Sequence, residues 1–222
     1  MPNKTEQTFL KSKLKIAVTG GIGTGKSLVC RYFESQGYYV INADLIAKNL
    51  MANDEEVKEK LIKVFGENVF DKNGLNKKII SELIFNEEKN LQKINSIVHP
   101  ATIKKINELA ETELLLKDIV FVESALIFEA KREALYDYIL LVTSPLEKRI
   151  ERIMNRDKIS KEEILSRINA QLSDDEKKKN SHFIIANDSS VEELQKKAKL
   201  FLGIFEKLIH ESNLQSRLIH RS

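Results

Sequence analysis

Compact apolar runs alternate along this chain with segments whose apolar residues recur at helical spacing. Leu14–Thr19 is the first such run; it ends in glycines, and a helical pattern opens at about Lys26, so the start reads strand, Gly-rich loop, helix. Gly37 ends that helix. Tyr38–Ile41 is β-branched and aromatic and predicts a second strand, stopped at Asn42-Ala43-Asp44 before another helical segment. From Asn53 to Leu116 the pattern is long, charged and helical, broken near Gly66 and near Asp71–Gly74, with no strand predicted. Strand signals return at Ile119–Val122, Tyr138–Val142 and Phe183–Ala186. Between the last two, Ser144-Pro145-Leu146-Glu147 predicts a helix start with Ser144 as N-cap, Pro at the first helical position and Glu at the third. Ser160 with Glu163 predicts a second capping box. Asp174–Asn180 reads as a solvated charged segment, and Val191–His210 as an amphipathic C-terminal helix.

Alternation of this kind predicts an α/β fold, a parallel sheet covered by helices in three layers and joined by right-handed crossovers. The expected division is a flexible leader over residues 1–13, a core beginning at 14–52, a helical insertion at 53–117, the core again at 118–156, a helical lid at 157–180, and a last strand with C-terminal helix at 181–222.

Composition narrows the class. The chain has 222 residues, 42% of them hydrophobic and 31% charged, with 3 Pro and 8 Gly, which fits a soluble, helix-rich globular protein rather than a disordered one. Its 36 basic and 33 acidic side chains leave a net charge of +3, too balanced for a protein whose main partner is a nucleic-acid backbone. No apolar stretch approaches the roughly 18 residues needed to span a membrane. A lone cysteine, Cys30, allows no internal disulfide, so a cytoplasmic location is expected, as a monomer or weak oligomer.

Gly20-Gly21-Ile22-Gly23-Thr24-Gly25-Lys26-Ser27 fits the phosphate-binding loop G-x-x-x-x-G-K-[ST], between a predicted strand and a predicted helix. Glycines let backbone N–H groups close around phosphate oxygens, and the helix N-terminus adds partial positive charge. Gly21, Ile22, Gly23, Thr24, Gly25, Lys26, Ser27 and Leu28 are therefore the expected nucleotide-binding stretch. Lys26 should reach the β- and γ-phosphates of ATP, and the Ser27 hydroxyl should ligate Mg²⁺. A GTPase would need a guanine-reading Asn-Lys-x-Asp, which is absent, and the single Asp-x-x-Gly, Asp71–Gly74, falls in the helical insertion. A small-molecule kinase leads. A kinase of another metabolite or nucleotide and a non-catalytic NTP-binding module are the rivals.

Ligands of open parallel sheets bind beyond the carboxyl ends of the strands. Asp44 follows the second strand, Glu123 the third, Thr143 and Ser144 the fourth, and Asn187 the fifth. Asp44 is the expected base or orienting group for an attacking hydroxyl, with capping of the helix at Leu45 as its structural alternative. Glu123 is a second acidic candidate near substrate, and Asn187 belongs to the expected nucleotide site. Arg149, Arg152 and Arg156 form one helical stripe. Solvation and function weigh equally for the first two, while Arg156, at the helix end, suits the spread charge of a transferring phosphoryl group. His99, before Pro100, is either a substrate contact or a structural residue.

Together these features resemble the dephospho-coenzyme A kinase family. The resemblance runs from Lys15 to about Leu194 through Thr19–Ser27, Ile41-Asn42-Ala43-Asp44, His99-Pro100, Ala125-Leu126-Ile127-Phe128-Glu129, Arg156-Asp157, and Gln171 followed by Ile184-Ile185-Ala186-Asn187. It implies a P-loop core, a helical domain for dephospho-coenzyme A over the insertion, and a lid. It implies ATP with Mg²⁺ as phosphoryl donor, Asp44 as the catalytic acid and Arg156 as a lid arginine on ATP. Leu28 stands where the family commonly has Thr, Asn42 where it has Asp, and Ala125 where it has Pro.

Overall fold

The computed structural model describes residues 12–72 and 74–219, so the predicted leader lies outside the described residues except for its last two positions. In chain order the elements are β1 (Leu14–Thr19), α1 (Lys26–Ser35), β2 (Tyr39–Asn42), α2 (Ala43–Asn53), α3 (Glu55–Phe65), β3 (Phe70–Asp71), β4 (Gly74–Leu75), α4 (Lys77–Asn86), α5 (Glu88–Leu116) and β5 (Ile119–Glu123). Next come β6 (Tyr138–Thr143), α6 (Leu146–Asp157), α7 (Lys161–Asn169), α8 (Asp174–Lys179), β7 (Phe183–Ala186) and α9 (Val191–Ile219).

The chain divides into two compact units, one of Asn42–Leu109 and the other of the described residues up to Ile41 and from Ala110 onward. The sheet of the latter runs β2-β5-β1-β6-β7. β1 pairs in parallel with β5 and β6, and β6 with β7. The chain leaves β1 toward one side of the sheet and later adds β6 on the other, so the strand order switches direction at β1, where such sheets open a crevice. Register brings the strand ends level: Val18 faces Glu123, Thr19 faces Leu141 and Thr143 faces Ala186. β1, β5 and β6 are buried on both faces, which is why they read as continuous apolar runs. One face packs on α1 and α9 through Phe33, Phe121 and Phe205. Phe33 stacks on Phe121 at 4.1 Å between centroids, and Phe205 meets Phe121 edge-on at 6.0 Å.

The other unit begins at Asn42 and ends at Leu109, against the predicted 53–117. The cause is α2, whose Ala47, Leu50 and Met51 pack into the cluster of Val57, Leu61, Val69, Ile80, Ile94 and Val98. This unit also contains a two-residue antiparallel ladder, β3 with β4, where no strand was expected. The pairs Phe70–Asp71 and Gly74–Leu75 are too short to show a period of two in sequence. At the C-terminus α9 runs to Ile219, well beyond His210. Among the described residues no helix is long and apolar enough to cross a membrane.

Candidate active site

The phosphate loop leaves β1 at Gly20 and closes into α1 at Lys26. Gly20 has φ +148°, and a Cβ there would stand 2.2 Å from the Val142 carbonyl oxygen, so β6 admits only glycine beside it. Gly25 has φ +98°, and its Cβ would meet Asn187 Nδ2 at 2.4 Å. The loop is thus pressed between neighbours. Thr24 braces it from within, its hydroxyl donating to the Gly21 carbonyl at 2.9 Å.

Lys26 extends its ammonium along the loop and donates to the carbonyls of Gly20 at 2.8 Å and Gly21 at 3.1 Å. One position further, the Ser27 hydroxyl donates to Glu123 Oε1 at 2.6 Å. Glu123 is buried at the end of β5. A hydroxyl and a carboxylate are hard oxygen donors, the set that Mg²⁺ takes when it keeps several waters and phosphate oxygens. No larger cluster of His, Cys, Asp and Glu fit for a metal occurs among the described residues. Ser27 and Glu123 therefore suit Mg²⁺ carried with a nucleotide. The Leu28 side chain packs on the hydrophobic core and its N–H donates to the Gly25 carbonyl at 3.0 Å.

The first two arginines of the α6 stripe do not lie on a solvated face. Arg149 is buried, donates from Nε to the Ile22 carbonyl at 2.9 Å and lies 3.6 Å from Asp174. Burial pulls its pKa down and Asp174 opposes that shift. Arg152 donates to the Ser144 hydroxyl at 3.0 Å, to the Gly23 carbonyl at 3.3 Å and to Asn187 Oδ1 at 3.3 Å. Asn187, buried, donates from Nδ2 to the Thr24 carbonyl at 2.8 Å. Arg149, Arg152 and Asn187 thus form a scaffold behind the loop. Helical periodicity showed the stripe, but a period cannot say what a face meets.

Neither Ser144 nor Asp44 caps the helix that follows it. Ser144 does not cap α6: its hydroxyl donates to the Asn187 carbonyl at 2.7 Å, Pro145 is the N-cap residue, and the helix starts at Leu146. Asp44 does not cap α2 either. The helix starts at Ala43, two residues before the expected Leu45, and the Leu45 N–H donates to Asn42 Oδ1 at 2.8 Å. Asp44 stands in the first turn with its side chain exposed, where a carboxylate also complements the helix dipole.

Arg156, at the end of α6, is 63% exposed and forms a two-pronged pair with Asp157, Nε to Oδ1 at 2.6 Å and Nη2 to Oδ2 at 2.9 Å. This raises the arginine pKa and lowers that of Asp157, hydrogen bonding being the main cause in both. His99 is half-buried beside Pro100 inside α5. The structure therefore assembles Gly21–Leu28, Glu123 and Asn187 in one compact unit, adding Arg149, Arg152 and Gln171, while Asp44 and His99 belong to the other.

A parallel sheet whose central strand runs through a Gly-rich loop into a helix, with Lys and Ser at the helix start, defines the class of P-loop nucleotide-binding proteins. Residues 14–193 match the family model described as dephospho-CoA kinase. The dephospho-CoA kinase of Fusobacterium nucleatum is 37% identical over 84% of this chain and 95% of its own length. A Thermus thermophilus crystal structure superposes with a TM-score of 0.74 at 32% identity, over 86% of this chain and 97% of that one. The Campylobacter jejuni dephospho-CoA kinase gives 0.61 at 30% identity, over 87% and 98%. This chain belongs to the dephospho-CoA kinase family.

Proposed function

We propose that this protein transfers the γ-phosphoryl group of ATP to the ribose 3′-hydroxyl of dephospho-coenzyme A, the last step of coenzyme A synthesis, in the cytoplasm. The observation that carries this reading is the Ser27–Glu123 pair at the foot of the P-loop, 2.6 Å from oxygen to oxygen, in a chain of this family. Mg²⁺, held by the Ser27 hydroxyl with Glu123 close by, would draw charge off the phosphates.

The other roles fall to the chain itself. Backbone N–H groups of the loop and the start of α1 bind the phosphates, and Lys26 exchanges its neutral carbonyl partners for anionic phosphate oxygens, so that both members of the contact are charged. Asp44 orients the 3′-hydroxyl and accepts its proton as that oxygen bonds to the γ-phosphorus. The bond from phosphorus to the bridging oxygen breaks, and ADP leaves with the electron pair. What supports Asp44 is its place in the first turn after β2 and its freedom from capping duty, which Asn42 performs. Arg156 donates to the transferring phosphoryl group from the N–H groups that Asp157 leaves unused, with the segment 157–180 acting as a lid that excludes water. His99 contacts the acceptor. Nucleotide consumption with dephospho-coenzyme A, shikimate and nucleoside monophosphates as separate acceptors tests the reading. Turnover confined to dephospho-coenzyme A is expected, and equal turnover with another acceptor would refute it.

A further inference from the structure

The segment between α7 and α8 grips the phosphate loop through a single residue. The Ile22 N–H donates to Gln171 Oε1 at 2.9 Å, and the Ile22 carbonyl accepts from Arg149 Nε, also at 2.9 Å. Arg149 in turn stands 3.6 Å from Asp174, in the first turn of α8. Gln171 is itself held by its C-terminal neighbours. The Leu172 N–H donates to Glu129 Oε1 at 3.1 Å, and the same oxygen lies 2.9 Å from Nζ of Lys177, whose side chain is fully buried. Ser173 and Glu176 close a reciprocal capping box at the start of α8. A buried charge pair, a cap and a backbone bond therefore converge on the residues around Gln171.

In a loop of this kind, a backbone N–H ordinarily serves phosphate oxygens. Here one of them is committed to a neutral carboxamide whose own position is fixed by buried groups. We infer that Gln171 is a positioning residue for the nucleotide: with Arg149 on the other side of Ile22, it holds the outer turn of the loop in one shape. A loop containing Gly20, Gly21, Gly23 and Gly25 has unusual freedom to lose, and a loop ordered in advance loses less of it when phosphate arrives. Glu129 and Lys177 act one step further out, by setting where Gln171 stands. The inference rests on the ATP half of the functional reading and is independent of the acceptor.

Gln171→Leu removes the accepting oxygen at nearly constant size. Calorimetric titration with ATP and Mg²⁺, with no acceptor present, should show Kd raised about fivefold to tenfold, the worth of one hydrogen bond. The melting temperature without nucleotide should fall by no more than the few degrees that about one hydrogen bond is worth, and the Ile22 amide signal in a ¹⁵N-correlated spectrum should shift. If the leucine variant melts earlier than that, Gln171→Met repeats the test with an unbranched side chain. An unchanged Kd would overturn the inference. So would a tighter one, which would mean that Gln171 competes with phosphate for the Ile22 N–H, and so would an unmoved Ile22 signal. Failure of the wild-type protein to bind ATP would instead refute the functional reading itself, whereas failure to use dephospho-coenzyme A would leave this result readable.

Discussion

Asp44 stands one position inside a helix that Asn42 caps, and this separates two contributions that the sequence left joined. Asp44→Asn removes the charge and the capacity to take a proton, so turnover should fall by about 10²–10⁴ with ATP binding retained. Because no cap is lost, Asp44→Ala should unfold at the same denaturant concentration as Asp44→Asn. A clearly less stable alanine variant would return a structural role to this carboxylate. Lys26→Ala should cost activity by orders of magnitude while the circular dichroism spectrum stays intact, since a surface cation is lost and no core volume changes. The loop residues were legible in sequence because the chemistry restricts their types so tightly. Arg149, Arg152 and Gln171 were not, because Arg and Gln also occupy solvated helical faces, and what they meet lies more than a hundred residues away in the chain for each contact with Ile22 or Gly23.

Apart from the short β3–β4 ladder, helices and strands lie where the hydrophobic period places them, but their ends obey local hydrogen bonds that composition only suggests. β5, β6 and β7 lie within a residue of the expected runs, whereas α2 and α6 start from different caps than expected. Asn42→Ala should therefore cost about 0.5–2 kcal/mol in chemical denaturation and Asn42→Asp almost nothing, since Asn and Asp cap equally well. The same equivalence explains how Asn serves at a position where the resembled family commonly carries Asp. α8 departs further from its sequence pattern. Its residues, Asp174 to Lys179, are all charged and predict solvation, yet Lys177 is fully buried against Glu129. Removing one member of such a pair strands the other, so Lys177→Met should destabilise by about 3 kcal/mol in a denaturant titration. A pH dependence arises just before β7. His182 Nδ1 accepts the Ile139 N–H at 3.0 Å, and burial lowers its pKa. The unfolded chain binds the proton more readily than the folded one, so stability is fully present above the unfolded pKa and declines as pH falls below about 6.5. His182→Asn, which keeps an acceptor but does not titrate, should flatten that decline in melts between neutral and mildly acidic pH.

For the molecule as a whole, the order of motifs carries more information than any one of them. A P-loop alone leaves kinase, GTPase and motor open. The absence of a guanine-reading Asn-Lys-x-Asp and the near-neutral charge favour a small-molecule kinase, and the match over residues 14–193 places the chain in one family. The outline of the helical unit was the part least legible, because α2 joins it through Ala47, Leu50 and Met51, whose periodicity suits any packed helix. The central claim is that ATP's γ-phosphoryl group goes to one hydroxyl of one acceptor. The most direct measurement is mass spectrometry with phosphorus NMR on a mixture of the protein, ATP, Mg²⁺ and dephospho-coenzyme A. The account predicts one new product, coenzyme A, with its added phosphate on the ribose 3′-oxygen and an equal amount of ADP. ADP without coenzyme A, or a phosphate on any other oxygen, would contradict it.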